Sequence, residues 1–255
     1  MVHDVAASGF DAQADAYERA RPSYPPDAVG WFTDNLRIAP GARVVDLAAG
    51  TGKFTRLLAP FGADLAAVEP VGGMAHHLRV AVPDVPLASA SAEALPFAGH
   101  SLDAVTVAQA FHWFEAEAAF TELHRVLRPG GRVGLVWNAR DRSVDWVDQV
   151  WGIMDRVEKR APWREHEQWS ESALGERLGF GPLHEATFFH EHRLSTDDVV
   201  IRVQSVSHVA VLTPEDRERV LDEVRTLLAT HPDTKGRDIV AMPYRVDAYW
   251  CEAES

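Results

Sequence analysis

The sequence predicts an α/β fold, a doubly wound and mostly parallel sheet with helices on both faces. Three observations predict it. Apolar, β-branched runs alternate with helical patterns at the spacing of βαβ units. The run Arg43-Val44-Val45-Asp46-Leu47 passes through the small-residue turn Ala48-Ala49-Gly50-Thr51-Gly52 into a helical pattern from Lys53. A second apolar run, Asp64 to Val68, ends in Glu69, 17 residues after Gly52. A doubly wound fold places there the acid that bonds two ribose hydroxyls. Gly50 and Gly52 carry no Cβ, so the turn can adopt positive φ and a ligand can press on the main chain. The helix that follows aims its free N–H groups and its dipole at the same spot.

Each element has its own signal. Residues 10–21 read as a short amphipathic helix that Pro22, Pro25 and Pro26 break. A second helix runs from Pro26 to Asn35 with Trp31 and Phe32 inward, and Pro40-Gly41 turns into the first strand. Strands are expected at 43–48, 64–69, 86–90, 102–107 and 132–137. Helices are expected at 52–60, 72–80, 116–127 and 145–160. Gly72-Gly73-Met74 opens the second of these, beyond the ribose position. Further on, Leu183 to Leu194 alternates and is rich in Phe, Thr and His, and Val240 to Trp250 is another strand-like run. Between them lie two helical patterns, 196–206 and 213–230. Thr213-Pro214-Glu215-Asp216 is a helix start: a capping hydroxyl, proline in the first turn, then acids. The segment 195–231 is too long for a turn and reads as a helical cap insertion.

Composition narrows the class. The 255 residues suit one domain, 1–255, with an insertion or lid. The formal net charge of −13 leaves no basic footprint for nucleic acid, so a small-molecule substrate is expected and a nucleic-acid partner is not. Cys251 is the single cysteine, so a disulfide framework is excluded and a reducing cytoplasm is expected. Met1-Val2-His3-Asp4 lacks a basic region and apolar core, so no signal peptide is expected. No apolar stretch approaches membrane-spanning length, so no membrane partner is expected either. The oligomeric state cannot be read from the sequence.

The turn departs from the dinucleotide pattern G-x-G-x-x-G. It is Asp-x-x-x-Gly-x-Gly, with Ala48 where a first glycine would stand, and in this form it resembles the first motif of the class I S-adenosylmethionine-dependent methyltransferases. Four later segments match in order. They are the strand ending in Glu69, the run Ala90-Ser91-Ala92-Glu93-Ala94-Leu95-Pro96-Phe97, the strand 102–107 leading to Gln109-Ala110-Phe111-His112-Trp113-Phe114, and Glu122-Leu123-His124-Arg125-Val126-Leu127-Arg128-Pro129-Gly130-Gly131 before the fifth strand. Within that family the chain most resembles the small-molecule, trans-aconitate methyltransferase-like group. Phe10, Tyr17 and Arg21-Pro22-Ser23-Tyr24-Pro25 contribute to that likeness, as do the Phe111–Phe114 run and Trp137-Asn138.

The resemblance implies a Rossmann-like methyltransferase fold of seven strands whose last strand is antiparallel. It implies S-adenosylmethionine as the cofactor, held by the core 43–140. Asp46, Ala48, Gly50, Gly52, Glu69, Pro70, Met74, Ala92, Glu93 and Gln109 stand at the positions that would bind it. The N-terminal helices 10–35 would form a lid, with Tyr17, Arg21 and Tyr24 facing the methionine part. His112 is the candidate catalytic residue, as base or as a donor that positions the acceptor; packing of the adenosine pocket, or no contact with either ligand, are the other readings. Tyr24, Trp113, Asn138 and Arg140 are candidates for the acceptor.

The reaction implied is methyl transfer to a small molecule, most readily at a carboxylate or hydroxyl oxygen. A non-methylating cofactor binder and an NAD-type oxidoreductase are the alternatives, and the missing G-x-G-x-x-G weighs against the latter. Methyl transfer from a sulfonium needs placement of a nucleophile and no metal. Arg140, Arg142, Arg202 and Arg245 are further candidates for gripping a carboxylate. His190-Glu191-His192 could converge two imidazoles on one strand face, but without a clear third ligand no metal is expected. Trp146, Trp151, Trp163 and Trp169 cluster after the fifth strand, as core or as the wall of an aromatic cavity.

Overall fold

The computed structural model describes residues 20–158 and 179–254. Phe10, Tyr17, Trp163, Trp169 and all but the end of the 10–21 helix lie outside them. The elements run α1 (Pro26–Asn35), β1 (Arg43–Leu47), α2 (Thr55–Leu58), β2 (Asp64–Val68), α3 (Gly72–Ala81), β3 (Leu87–Ala88), β4 (Leu102–Ala108) and α4 (Ala116–Val126). There follow β5 (Leu127–Arg140), α5 (Asp145–Glu158), β6 (His184–Ser195), α6 (Thr196–Gln204), α7 (Ser207–Ala210), α8 (Pro214–Thr230) and β7 (Ile239–Glu252). They build a seven-stranded sheet in the order β3-β2-β1-β4-β5-β7-β6. β1 pairs in parallel with β2 and β4, and β4 with β5. β7 enters antiparallel between β5 and β6. The topology is the one expected from the sequence.

Alternation along the central strands divides the core. Val45, Leu47, Val105, Val107, Val133 and Leu135 face α4, which covers them with Ala119, Phe120, Leu123 and Val126. Val44, Ala104 and Val136 face the other way, onto Ala28, Val29 and Phe32 of α1 and Leu58 of α2. Each strand at the middle of the sheet is therefore apolar on both sides, as parallel strands under two helical layers must be. Gly134 sets how close α1 can come: a Cβ there would lie 2.5 Å from Phe32. Phe32 is fully buried, while Trp31 sits half-buried at the margin, its ring 6.2 Å from that of Phe188.

Three elements differ from expectation: the strand expected at 86–90 is only the two-residue β3, and two others differ for local reasons. The helix expected at 52–60 is shorter, a turn of α2 followed by the 3-10 turn Ala59–Phe61. Left-handed Gly52 delays its start and left-handed Gly62 ends it. The fifth strand begins at Leu127, because Leu102 pairs with Leu127 before a register shift and Arg128 to Gly131 then bow out of the ladder.

β6 and β7 reach further than the rest of the sheet. β5 ends where Arg140 pairs with Tyr244, and Tyr244 with His190. Beyond that point residues 191–195 pair with 239–243 alone, projecting past the carboxyl ends of the parallel strands. α6 starts there, capped by Ser195, whose hydroxyl accepts the Asp198 N–H at 3.0 Å. α8 starts as expected, Thr213 accepting from Asp216 N–H at 3.2 Å with Pro214 in the first turn. α5, α6, α7 and α8 share a third hydrophobic core with Leu194, Val240, Met242 and Tyr244. This helical module thus stands on the carboxyl side of the sheet. Among the described residues no helix is long and apolar enough to cross a membrane.

Candidate active site

The chain leaves β1 through a strained turn. Ala48 has φ 53°, Gly50 φ 60° and Gly52 φ 83°. The two glycines serve different ends. A Cβ on Gly52 would press on Leu78 and Val82 of the neighbouring layer at 3.2 and 3.3 Å. A Cβ on Gly50 would meet nothing within 4 Å, so its backbone faces open space. Ala48 adopts a backbone that a side chain disfavours by about 1–2 kcal/mol. Gln109, just past β4, does the same at φ 60°. Such strain at the ends of two adjacent central strands marks a site that the surrounding structure holds in place.

Glu69 closes the turn from the next strand. One carboxylate oxygen accepts the Gly50 N–H at 2.8 Å and the other the Val71 N–H at 2.8 Å. Each oxygen keeps a free lone-pair direction for a further donor. Burial raises the Glu69 pKa above the usual glutamate value; the two N–H bonds oppose that, and the charge of Asp46 adds to it.

Asp46 does something else. It is fully buried, its two oxygens taken by the hydroxyls of Thr55 at 2.6 Å and Thr106 at 2.9 Å. It lies beneath the turn and joins β1, β4 and the start of α2, so the structure gives it a supporting place rather than one on the open face of the turn. Burial pushes its pKa up to about 6 despite those hydrogen bonds. Met74 and Ala92 are buried beside this region, and Glu93 accepts the Glu115 N–H at 3.1 Å. Pro70 lies between Glu69 and Val71, directly after β2.

His112 lies in the 3-10 turn Phe111–Trp113 that follows β4, its ring 5.0 Å from that of Trp113. Burial and the nearby Arg21 cation lower its pKa to about 4, so the imidazole is neutral at physiological pH. Arg21 in turn donates to the Ser205 carbonyl at the end of α6, at 3.1 Å. The segment before α1 therefore bridges His112 and the helical module. Asn138 ties the same region together: it donates to the Ser23 carbonyl at 3.2 Å, and its side-chain oxygen lies 2.8 Å from His190 Nε2. Tyr24 is buried, its ring edge-on to Phe54 at 5.0 Å.

The four candidate arginines part ways. Arg142 pairs with Asp148 and Asp155, and Arg245 with Asp247, all at the surface. Arg140 and Arg202 instead gather about the indole of Trp151, their guanidinium carbons 4.5 and 5.9 Å from its centroid. His192 stands near Arg202, its pKa lowered to about 4 by burial, then by Lys53, His190 and Arg202. Among the described residues no group of three metal-ligating side chains gathers at His190 and His192 or elsewhere. Sequence reasoning named Trp151 as core or cavity wall but did not find Thr55 or Thr106. Thr106 lies opposite Asp46 in strand register, a signal that the strand pairing makes legible, and Thr55 opens α2 nine residues after Asp46.

Comparisons with known proteins agree with the fold. Residues 45–135 match the family model described as a methyltransferase domain. An uncharacterized methyltransferase-like protein of Schizosaccharomyces pombe is 35% identical over 255 residues, all of this chain and 99% of that one. An uncharacterized methyltransferase of Mycobacterium tuberculosis is 40% identical over 235 residues, covering 92% of this chain and 91% of that protein. Among solved structures, a protein assigned as a type II methyltransferase in Anaeromyxobacter dehalogenans superposes with a TM-score of 0.64 at 26% identity, covering 92% of this chain and 97% of that one. The chain belongs to the class I methyltransferase family and is an enzyme of that class.

Proposed function

We propose that the protein methylates an oxygen atom, of a carboxylate or a hydroxyl, on a small molecule. The cofactor lies over the β1 turn and the acceptor between His112 and a helical cap made of α6 to α8. S-adenosylmethionine supplies an electrophilic methyl on its sulfonium. The observation that carries the reading is the clasp of Glu69 on the Gly50 N–H, beside backbone that opens on free space. The remaining lone pairs of Glu69 suit two ribose hydroxyls. Ala48, Gly50 and Gly52 shape the turn for the methionine part, with Asp46 holding the turn from below. Pro70 and Met74 border the ribose; Ala92 and Glu93 border the adenine. Gln109 and Arg21 line the path to the sulfonium.

The chain's own work is placement. In an in-line displacement the acceptor oxygen forms its bond to carbon as the carbon–sulfur bond breaks, leaving a neutral thioether. A carboxylate acceptor needs no base, and its product ester releases no proton. His112, neutral and with a pKa near 4, is a weak base but a good hydrogen-bonding partner. That pairing favours the carboxylate over the hydroxyl. Trp113, Tyr24, Asn138 and Arg140 then border the acceptor. The acidic surface weighs against a nucleic-acid substrate. The single cysteine, buried in the core, suits a reducing compartment, and we place the enzyme in the cytoplasm.

Incubation with methyl-labelled S-adenosylmethionine and a panel of carboxylic acids, alcohols and amines tests the reading. Label should enter base-labile methyl esters. Transfer confined to amines would contradict an oxygen acceptor.

A further inference from the structure

Arg202 is the largest fully buried side chain among the described residues, 2% exposed, yet it lacks the partners a buried cation needs. Its Nε and Nη1 make no hydrogen bond, and no carboxylate among the described residues pairs with it. Two other buried nitrogens nearby are equally unmatched, the indole Nε1–H of Trp151 and Nδ1 of His192, which donates when the ring carries its proton there. The three belong to different elements, α6, α5 and β6, that meet on the carboxyl side of the sheet. Arg140 adds a second guanidinium against the same indole. The carboxylate that acts on His192, Asp198, accepts the Ser195 hydroxyl at 2.7 Å as part of the α6 cap.

Leaving a buried charge uncompensated costs several kcal/mol. Three unmatched polar groups on neighbouring elements are therefore unlike ordinary core packing. The place is joined to the candidate methyl-transfer site: Ser205 donates its hydroxyl to the Arg202 carbonyl at 2.8 Å and accepts from Arg21, whose charge reaches His112. Arg202 sits in the last turn of α6, far from that helix's N-terminal N–H groups, so the positive charge here comes from side chains alone. A planar fork beside an indole N–H matches a planar anion.

We propose that Arg202, with Trp151 and His192, forms an anion subsite that anchors a carboxylate of the methyl acceptor beneath the cap. This deepens the functional reading above and rests on it for the identity of the bound molecule as the acceptor.

The probe is sodium formate, the smallest carboxylate, titrated against sodium chloride at matched ionic strength while the melting of the S-adenosylhomocysteine-saturated protein is followed. Wild type should show a saturable rise in Tm with formate. Arg202→Met should lose that response and melt about 2–4 °C higher than wild type in chloride, because an unpaired buried cation is gone. Its affinity for S-adenosylhomocysteine should match wild type. A formate response that persists in Arg202→Met, or one absent from wild type, overturns the subsite. If Arg202→Met does not fold, Arg202→Lys decides: its half-saturating formate concentration should rise at least fivefold, and an unchanged value overturns the proposal. A larger saturable response to inorganic phosphate than to formate overturns the carboxylate assignment. Failure of wild type to bind S-adenosylhomocysteine would instead remove the methyltransferase reading, with the formate response still read on the protein alone.

Discussion

Gly50 combines a left-handed backbone with open space where a Cβ would stand. Gly50→Val should cost the fold about 1–2 kcal/mol of backbone strain, because only that conformation and no packing is disturbed. Binding of S-adenosylhomocysteine should be abolished. Calorimetry finding normal affinity would show that no ligand approaches the turn there. His112 yields a test by pH. Its folded pKa, about 4, lies below the ordinary 6.5 because burial and Arg21 disfavour the charged form. As pH falls through 6.5 the unfolded chain takes up a proton first, so the contribution of His112 to stability declines from there towards pH 4. Asp46 and Glu69, both raised, act in the opposite sense, so the comparison has to be with a variant. The stability of wild type relative to His112→Gln should fall between pH 6.5 and 4 and stay constant above 7. An imidazole resonance titrating near 6.5 would contradict the buried neutral ring.

At the scale of elements, the parallel core was legible because it is periodic: strands buried on both faces appear as short β-branched runs, and Gly and Pro punctuate them. The acid at Glu69 was legible for the same reason, since it ends a strand at a fixed interval from the glycine turn. Asp46 was less so. Its side chain points to the α2 face of β1, where Thr106 from the paired strand and Thr55 from the helix enclose it, and pairing is what reveals this. Arg202 lies in the apolar run Val199-Val200-Ile201-Arg202-Val203, whereas Arg142 and Arg245 each have an aspartate within two positions. The run alone does not say which way the arginine turns, and packing is what shows Arg202 buried and the other two in surface ion pairs. The long β6–β7 ribbon, which carries α6 to α8 past the carboxyl ends of the sheet, sets the next prediction. Hydrogen exchange in residues 20–24 should slow on binding S-adenosylhomocysteine, because Arg21 acts on His112 and Ser23 accepts from Asn138 beside the proposed cofactor cleft. Residues 196–230 should slow mainly when an acceptor is added. Protection of 196–230 by the cofactor alone, with no further change on adding acceptor, would argue against a substrate cap.

Taken whole, the molecule joins a two-faced sheet platform to a helical module with its own core. The sheet with α1 to α4 forms a platform, and the clasp between Glu69 and the β1 turn sits at its carboxyl edge. The helical module has its own hydrophobic core and reaches the platform through the β6–β7 ribbon, Arg21 and Asn138. In the proposed reaction the platform holds the cofactor, and Glu69 is the residue proposed to grip it. Its carboxylate is already oriented by two backbone donors, so ribose binding meets a group that loses little freedom. Calorimetric titration of S-adenosylhomocysteine into wild type and Glu69→Ala is therefore the most direct test. Wild type should bind one equivalent, and Glu69→Ala should bind at least tenfold more weakly, a loss of about 1.4 kcal/mol or more. Equal affinity in the two proteins, with both folded, would contradict the assignment of this cleft as the cofactor site.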